Sequence, residues 1–210
     1  MDRLIEGFRN FRATYFEDNR ELFRSLAVGG QKPKALLIGC SDSRVDPGLL
    51  FGTQPGEMFV IRNVANLVPP FETAGTYHGT SAAIEFAVRK LMVEHVVVLG
   101  HSGCGGVRAL VEDDPADGTD FVRPWMGIAR AARDRCMALA LSAGETADSA
   151  RRMCEMETVA ISLANLMTFP WVRERVGQQQ LTLHGWWFDM ENGTLWGLES
   201  QSNTFCPLAS

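Results

Sequence analysis

Two short runs, ALLIGC (35–40) and HVVVLG (95–100), carry apolar residues without alternation. A strand wetted on one face alternates apolar and polar side chains, so a run that is apolar throughout must be covered on both faces. That is the condition of a strand inside a parallel sheet, and parallel strands need a crossover between them. The intervening chain supplies one. MFVIR (58–62) reads as a further strand, and the stretch from Ser81 to Leu91 sets Ile84, Ala87, Val88 and Leu91 on one helical face. The expected fold is α/β: a central, mostly parallel β-sheet flanked by helices, with N-terminal helices before it and a C-terminal β-hairpin region after it.

The flanking segments fit this plan. Leu4, Phe8, Phe11 and Tyr15 recur at helical spacing. A second short helix carries Leu22, Phe23 and Leu26 and stops at Gly29-Gly30, so residues 1–30 form a helical arm. Asp46-Pro47 starts a short helix or turn, because proline suits a first helical position. The acidic stretch EDDPADGTD (112–120) reads as a surface loop. Two helical stretches are predicted over 124–142 and 145–168, and after Pro170 a further turn of helix ends at Gly177. LTLHGWWFDMENGTLWGLE (181–199) alternates about Asn192-Gly193, a two-residue hairpin signal. No repeat or linker divides the chain, so residues 1–210 are expected to form a single domain.

Composition narrows the function. Hydrophobic residues make up 46% of the chain and charged residues 21%, enough for a substantial core. A net charge of −5 speaks against a nucleic-acid partner. No apolar run approaches the roughly 18 residues of a membrane span, and the N-terminus has no signal-peptide core, so a cytoplasmic location is expected. Five cysteines, Cys40, Cys104, Cys136, Cys154 and Cys206, are an odd and widely spaced set. Disulfides are a poor reading of such a pattern, and metal binding or catalysis a better one for cysteines in special positions. Cys136, Cys154 and Cys206 are expected to act as small core hydrophobes.

Cys40 ends the first apolar run, and His101 and Cys104 follow the second. In an open parallel sheet, sites lie beyond the carboxyl ends of the strands. If the two strands are neighbours, two thiolates and an imidazole converge, a donor set that zinc prefers. Three protein ligands leave a fourth position open, as in catalytic rather than structural sites. Gly100, Gly103, Gly105 and Gly106 give the His-x-x-Cys loop its backbone freedom. The same glycines also fit an anion-cradling loop, but the segment lacks the Lys-Ser/Thr ending of a P-loop and the spacing of a dinucleotide fingerprint.

Taken together, CSDSR (40–44) and GHSGCGG (100–106) resemble the β-class carbonic anhydrases. PGEMFVIRNVANLVPP (55–70), SAAIEFAV (81–88) and LTLHGWWFD (181–189) follow the same family pattern in order. The resemblance implies Zn2+ held by Cys40, His101 and Cys104, and reversible hydration of CO2 to bicarbonate and a proton by metal-bound hydroxide. It implies a catalytic dyad of Asp42 and Arg44, with Asp42 on the metal only in a closed resting form. It implies Gln31 as a donor to substrate, with Phe59 and Phe86 walling the substrate pocket. The plant-like type carries tyrosine where this chain has Phe86. The bicarbonate-regulated type carries tryptophan where this chain has Leu37, so the open type is expected. A homodimer, or a higher oligomer of dimers with clefts at the dimer interface, is also implied. Two alternatives remain at this stage: a related zinc hydrolase acting on COS or CS2, and a non-catalytic module in which zinc only stabilises a dimer.

Overall fold

The computed structural model describes residues 1–75, 77–112, 119–199 and 201–209. Among them, strands β1 (Ala35–Cys40), β2 (Met58–Asn63), β3 (His95–His101), β4 (Thr182–Asp189), β5 (Thr194–Glu199) and β6 (Thr204–Ala209) form one sheet in the order β2-β1-β3-β4-β5-β6. β2, β1, β3 and β4 run parallel, while β5 and β6 return antiparallel. The register sets Cys40 beside Asn63 and Gly39 beside Leu99. The carboxyl ends of β1, β2 and β3 therefore open at the same end of the sheet.

The helices are α1 (Asp2–Phe11), α2 (Arg20–Gly29), α3 (Pro47–Phe51), α4 (Gly79–Glu85), α5 (Gly105–Glu112), α6 (Val122–Met126), α7 (Arg130–Ala143), α8 (Ala147–Leu166) and α9 (Pro170–Gly177). Because side chains alternate along a strand, Leu36, Ile38, Val96 and Val98 share one face, packed with Ile84, Val88, Val159, Leu166 and Val172. Leu37, Val97 and Leu99 occupy the other, under Leu50, Phe51 and Trp186. Each aliphatic side chain buried this way contributes about 1.5–3 kcal/mol. Glycine lets α8 come close. A Cβ on Gly100 would sit 2.7 Å from Val159 Cγ2, and one on Gly185 would sit 2.8 Å from Leu163 Cδ1.

The structure adjusts several sequence expectations. The crossover helix starts at Gly79, and its last turn, Phe86–Lys90, is π-helical. A π-turn over Arg12–Phe16 likewise interrupts the N-terminal helix. Phe11, Tyr15 and Phe16 all gather on Phe23 around that turn, with ring centroids 6.0, 6.3 and 5.0 Å away. Neither α1 nor α2 has a buried residue. The β4–β5 connection spans residues 190–193 rather than two residues, because Asp189 accepts hydrogen bonds from Glu191 N (3.1 Å) and Asn192 Nδ2 (2.9 Å) and widens the turn. β6 had no sequence signal, and its Pro207 is tolerated because the strand lies at the sheet edge. The acidic loop expected over 112–120 falls largely outside the described residues. No helix among those described is long and apolar enough to cross a membrane.

Candidate metal centre and active site

β1 and β3 are neighbours, so the two chemically loaded strand ends meet. The Sγ atoms of Cys40 and Cys104 are 4.0 Å apart, and with a ring nitrogen of His101 the three donor atoms lie within 4.8 Å of one another. All three residues are buried. Two sulfurs on a tetrahedral zinc with bonds of about 2.3 Å would be about 3.8 Å apart, close to the observed spacing. His101 Nδ1 is hydrogen-bonded to Ser102 O (2.9 Å), and Nε2 is buried without a hydrogen-bond partner. A histidine fixed at one nitrogen and bare at the other is oriented as a ligand.

The electrostatics agree. Cys40 is pushed down to about 4, first by the Cys104 thiol and then by His101 and the backbone N–H groups of Asp42 and Ala65, which outweigh burial. Cys104 is pushed up, first by that same bond to Cys40 and then by burial. The pair titrates as a unit, since charge on one sulfur opposes charge on the other. A cation between them relieves that opposition, so the donor set fits a thiophilic divalent metal such as zinc. Burial opposes protonation of His101, but the Cys40 sulfur and the Ser102 carbonyl together raise its pKa.

Asp42 and Arg44 sit on the turn beyond β1. Arg44 Nε donates to Asp42 Oδ1 (2.9 Å) and Nη2 to Oδ2 (2.7 Å), and the Arg44 amide also donates to Oδ1 (3.0 Å). Chiefly through the Arg44 side chain, Asp42 is held well below the usual carboxylate range. Arg44 Nη2 also donates to Gly103 O (3.0 Å), tying this turn to the one after β3.

Sequence reasoning missed three supports. Arg62 on β2 donates to Cys40 O (2.9 Å), Asp42 O (2.6 Å) and Asp46 Oδ2 (3.0 Å), so one guanidinium fixes the chain on either side of Ser41. Ala65 and Asn66 adopt positive φ of 60° and 49°, an unusual conformation for residues with a Cβ, and this turn presents the Ala65 amide to Cys40. Glu155 of α8 is buried, and its Oε1 accepts from Cys104 N (3.2 Å). Burial raises the Glu155 pKa, against the pull of the Cys104 and Gly103 amides. Nothing in the sequence around Arg62 or Glu155 marks them, because both act across the fold.

Gln31, Phe59 and Phe86 are not brought to this cluster within the chain. Gln31 is exposed before β1, at the strand end opposite Cys40. Phe59 lies beside Leu36, four residues from the Asn63 that pairs with Cys40, or about 13 Å along the strand. Its ring lies tilted against that of Phe86, with centroids 5.8 Å apart. Cys136 and Cys154 are buried as expected, and Cys206 is half-buried on β6.

A mostly parallel sheet that delivers two thiols and an imidazole to one buried point, beside a carboxylate locked to an arginine, defines an α/β protein with a metal-type site at its strand ends. A family model described as "Carbonic anhydrase" matches residues 35–195. A carbonic anhydrase from Synechococcus elongatus is 41% identical over 194 residues, 92% of this chain and 70% of that protein. The structure of the β-carbonic anhydrase CcaA superposes with a TM-score of 0.91 at 34% identity, covering 100% of this chain and 92% of that one. A tetrameric β-carbonic anhydrase from Sordaria macrospora gives 0.83 at 31% identity, covering 99% and 98%. The chain belongs to the carbonic anhydrase family, β class.

Proposed function

We propose that the chain, folded as one domain, catalyses the reversible hydration of CO2 to bicarbonate and a proton at a zinc ion held by Cys40, His101 and Cys104. The observation that carries this reading is the convergence of those three donors beside a carboxylate that Arg44 holds in a two-pronged grip. Zinc there would supply a Lewis acid that makes water nucleophilic near neutral pH.

The chain supplies orientation and charge. Asp42, ionised and therefore acceptor-only, takes a hydrogen bond from the attacking oxygen and turns its lone pair toward the substrate carbon. Arg44 keeps that carboxylate charged and turned aside, which is the open type of site. The zinc-only module reading calls for four protein ligands, whereas among the described residues three donor side chains converge.

The remaining pocket residues act from a second copy. In this homodimer Gln31 donates to a substrate oxygen as charge develops there, and Phe59 and Phe86 form an apolar wall. Two features support assembly. Phe86 is 47% exposed, and α1 turns Leu4, Ile5 and Phe8 to solvent at 69%, 49% and 61%. Apolar side chains exposed together on one helix face, as on α1, mark an interaction face.

Stopped-flow measurement of CO2 hydration by zinc-loaded protein tests the reading, with Cys104→Ser as control and COS and CS2 as competing substrates. Turnover of CO2 that disappears together with zinc in Cys104→Ser is the expected result. Zinc-loaded protein inert toward CO2 overturns it, and preference for COS or CS2 reassigns the substrate.

A further inference from the structure

The peptide unit joining Gly103 to Cys104 is gripped at both ends. Its carbonyl, Gly103 O, accepts from Arg44 Nη2 (3.0 Å), and its amide, Cys104 N, donates to Glu155 Oε1 (3.2 Å). The Gly103 amide faces the same carboxylate. Gly103 has φ +67°, a conformation that L side chains rarely adopt, and it turns successive amides toward one acceptor.

The first amides of a helix have no partner within it and must find one elsewhere. At the start of α5 they are divided. The amides of Gly106 and Val107 face the Cys104 sulfur and favour its charged form. Cys104 N donates to Glu155 Oε1 (3.2 Å), a carboxylate from a helix 51 residues away in sequence that the Gly103 amide also favours in its charged form. Glu155 has little freedom to do otherwise. It is 2% exposed, its own carbonyl accepts from Thr158 Oγ1 (2.7 Å), and that carbonyl lies 3.4 Å from where a Cβ on Gly100 would be.

We infer that Glu155 is a positioning residue of the active site: by fixing the plane of the Gly103–Cys104 peptide it aims the Cys104 sulfur at the metal and sets the carbonyl that anchors Arg44 beside Asp42. It touches neither the reacting atoms nor the metal donors' own lone pairs. It acts through one peptide on two functional groups at once. The inference rests on the zinc reading above.

Glu155→Gln keeps the size but turns an NH2 group toward an amide that also donates. Zinc affinity, measured by competition with a chromophoric chelator, is expected to fall about tenfold to a hundredfold, the usual cost of losing a ligand's outer support. The Co2+-substituted protein is expected to show an altered thiolate-to-metal absorption band, and kcat to fall with KM little changed. Leu166→Val, which loosens the far end of the same helix, is expected to lower Tm and leave affinity and band alone. If Glu155→Gln does not fold, Glu155→Asp, shorter by one methylene, takes the same readouts. Wild-type protein that fails to bind zinc defeats the zinc reading itself. Wild-type zinc affinity and an unchanged cobalt spectrum in the Glu155 variant overturn the positioning role, as does an affinity loss in Leu166→Val that tracks its Tm.

Discussion

Arg44 meets Asp42 through two parallel hydrogen bonds, 2.9 Å from Nε to Oδ1 and 2.7 Å from Nη2 to Oδ2, although only Ser43 separates them in sequence. A flat fork on a flat carboxylate cannot be reproduced by an ammonium. Arg44→Lys is therefore expected to lower kcat/KM at least tenfold, and Asp42→Asn by about 10²–10³-fold, the range for a lost preorganised hydrogen-bonding group. Steady-state CO2 hydration checks both.

The same pair sets a sign for acid stability. Arg44 depresses the Asp42 pKa, so the stabilisation is fully present above the unfolded value of about 3.9 and is lost as pH falls through the folded one. Urea unfolding of wild type and Asp42→Asn should differ by a constant amount from pH 5 to 7 and converge below pH 4. A gap that instead closes between pH 5 and 7 contradicts the assignment.

A second titration lies far from the site. His184 on β4 is lowered first by burial and then by His95, whose Nδ1 lies 3.2 Å from His184 Nε2. A histidine that resists protonation when folded binds protons better unfolded, so it costs stability below about pH 6.5 and nothing above it. His184→Gln should narrow the drop in Tm between pH 8 and pH 5 while leaving Tm at pH 8 nearly unchanged, as a thermal-melt series would report.

Gly106 offers a packing test. A Cβ there would lie 2.7 Å from Val64 Cγ1, 3.1 Å from Ala65 Cβ and 3.3 Å from Met126 Sδ. The turn it would push is the one that carries the Ala65 amide to Cys40. Gly106→Ala is expected to cost about 1–3 kcal/mol in denaturant unfolding, the usual range for overpacking, and to weaken metal retention as well.

The distance between Gln31 and the cluster of its own chain leads to a mixing experiment. In the proposed dimer, Cys104→Ser would spoil the metal site of its own chain, and Gln31→Ala the site of the partner. Each should be nearly inactive alone. Subunits exchanged at random give half heterodimers, each with one intact site of two, so the mixture should recover about a quarter of wild-type activity. A mixture no better than the average of its components would assign Gln31 to its own chain's site or to none.

The parts legible in sequence were those with a local pattern. Unbroken apolar runs announced β1 and β3, and the residues at their ends announced the donors, because parallel neighbours bring equivalent ends together. Asp46-Pro47 likewise announced α3, whose first turn Asp46 caps at Leu49 N (3.1 Å). The parts not legible act across the fold. Arg62 sits in an ordinary strand and Glu155 in an ordinary helix, and their partners are fixed only by the sheet register and by the packing of α8. The left-handed turn at Ala65 carries no glycine to betray it. β6 contains a proline, which reads against a strand until the edge position is known.

One consequence follows from α1, which has no buried residue of its own. Ordering a ten-residue helix costs conformational entropy that this helix does not recover within its own subunit. In the proposed assembly that recovery comes from the neighbouring subunit, so concentration becomes a folding variable. The melting midpoint should climb as the protein is made more concentrated, and extreme dilution should fray the arm before it unravels the sheet.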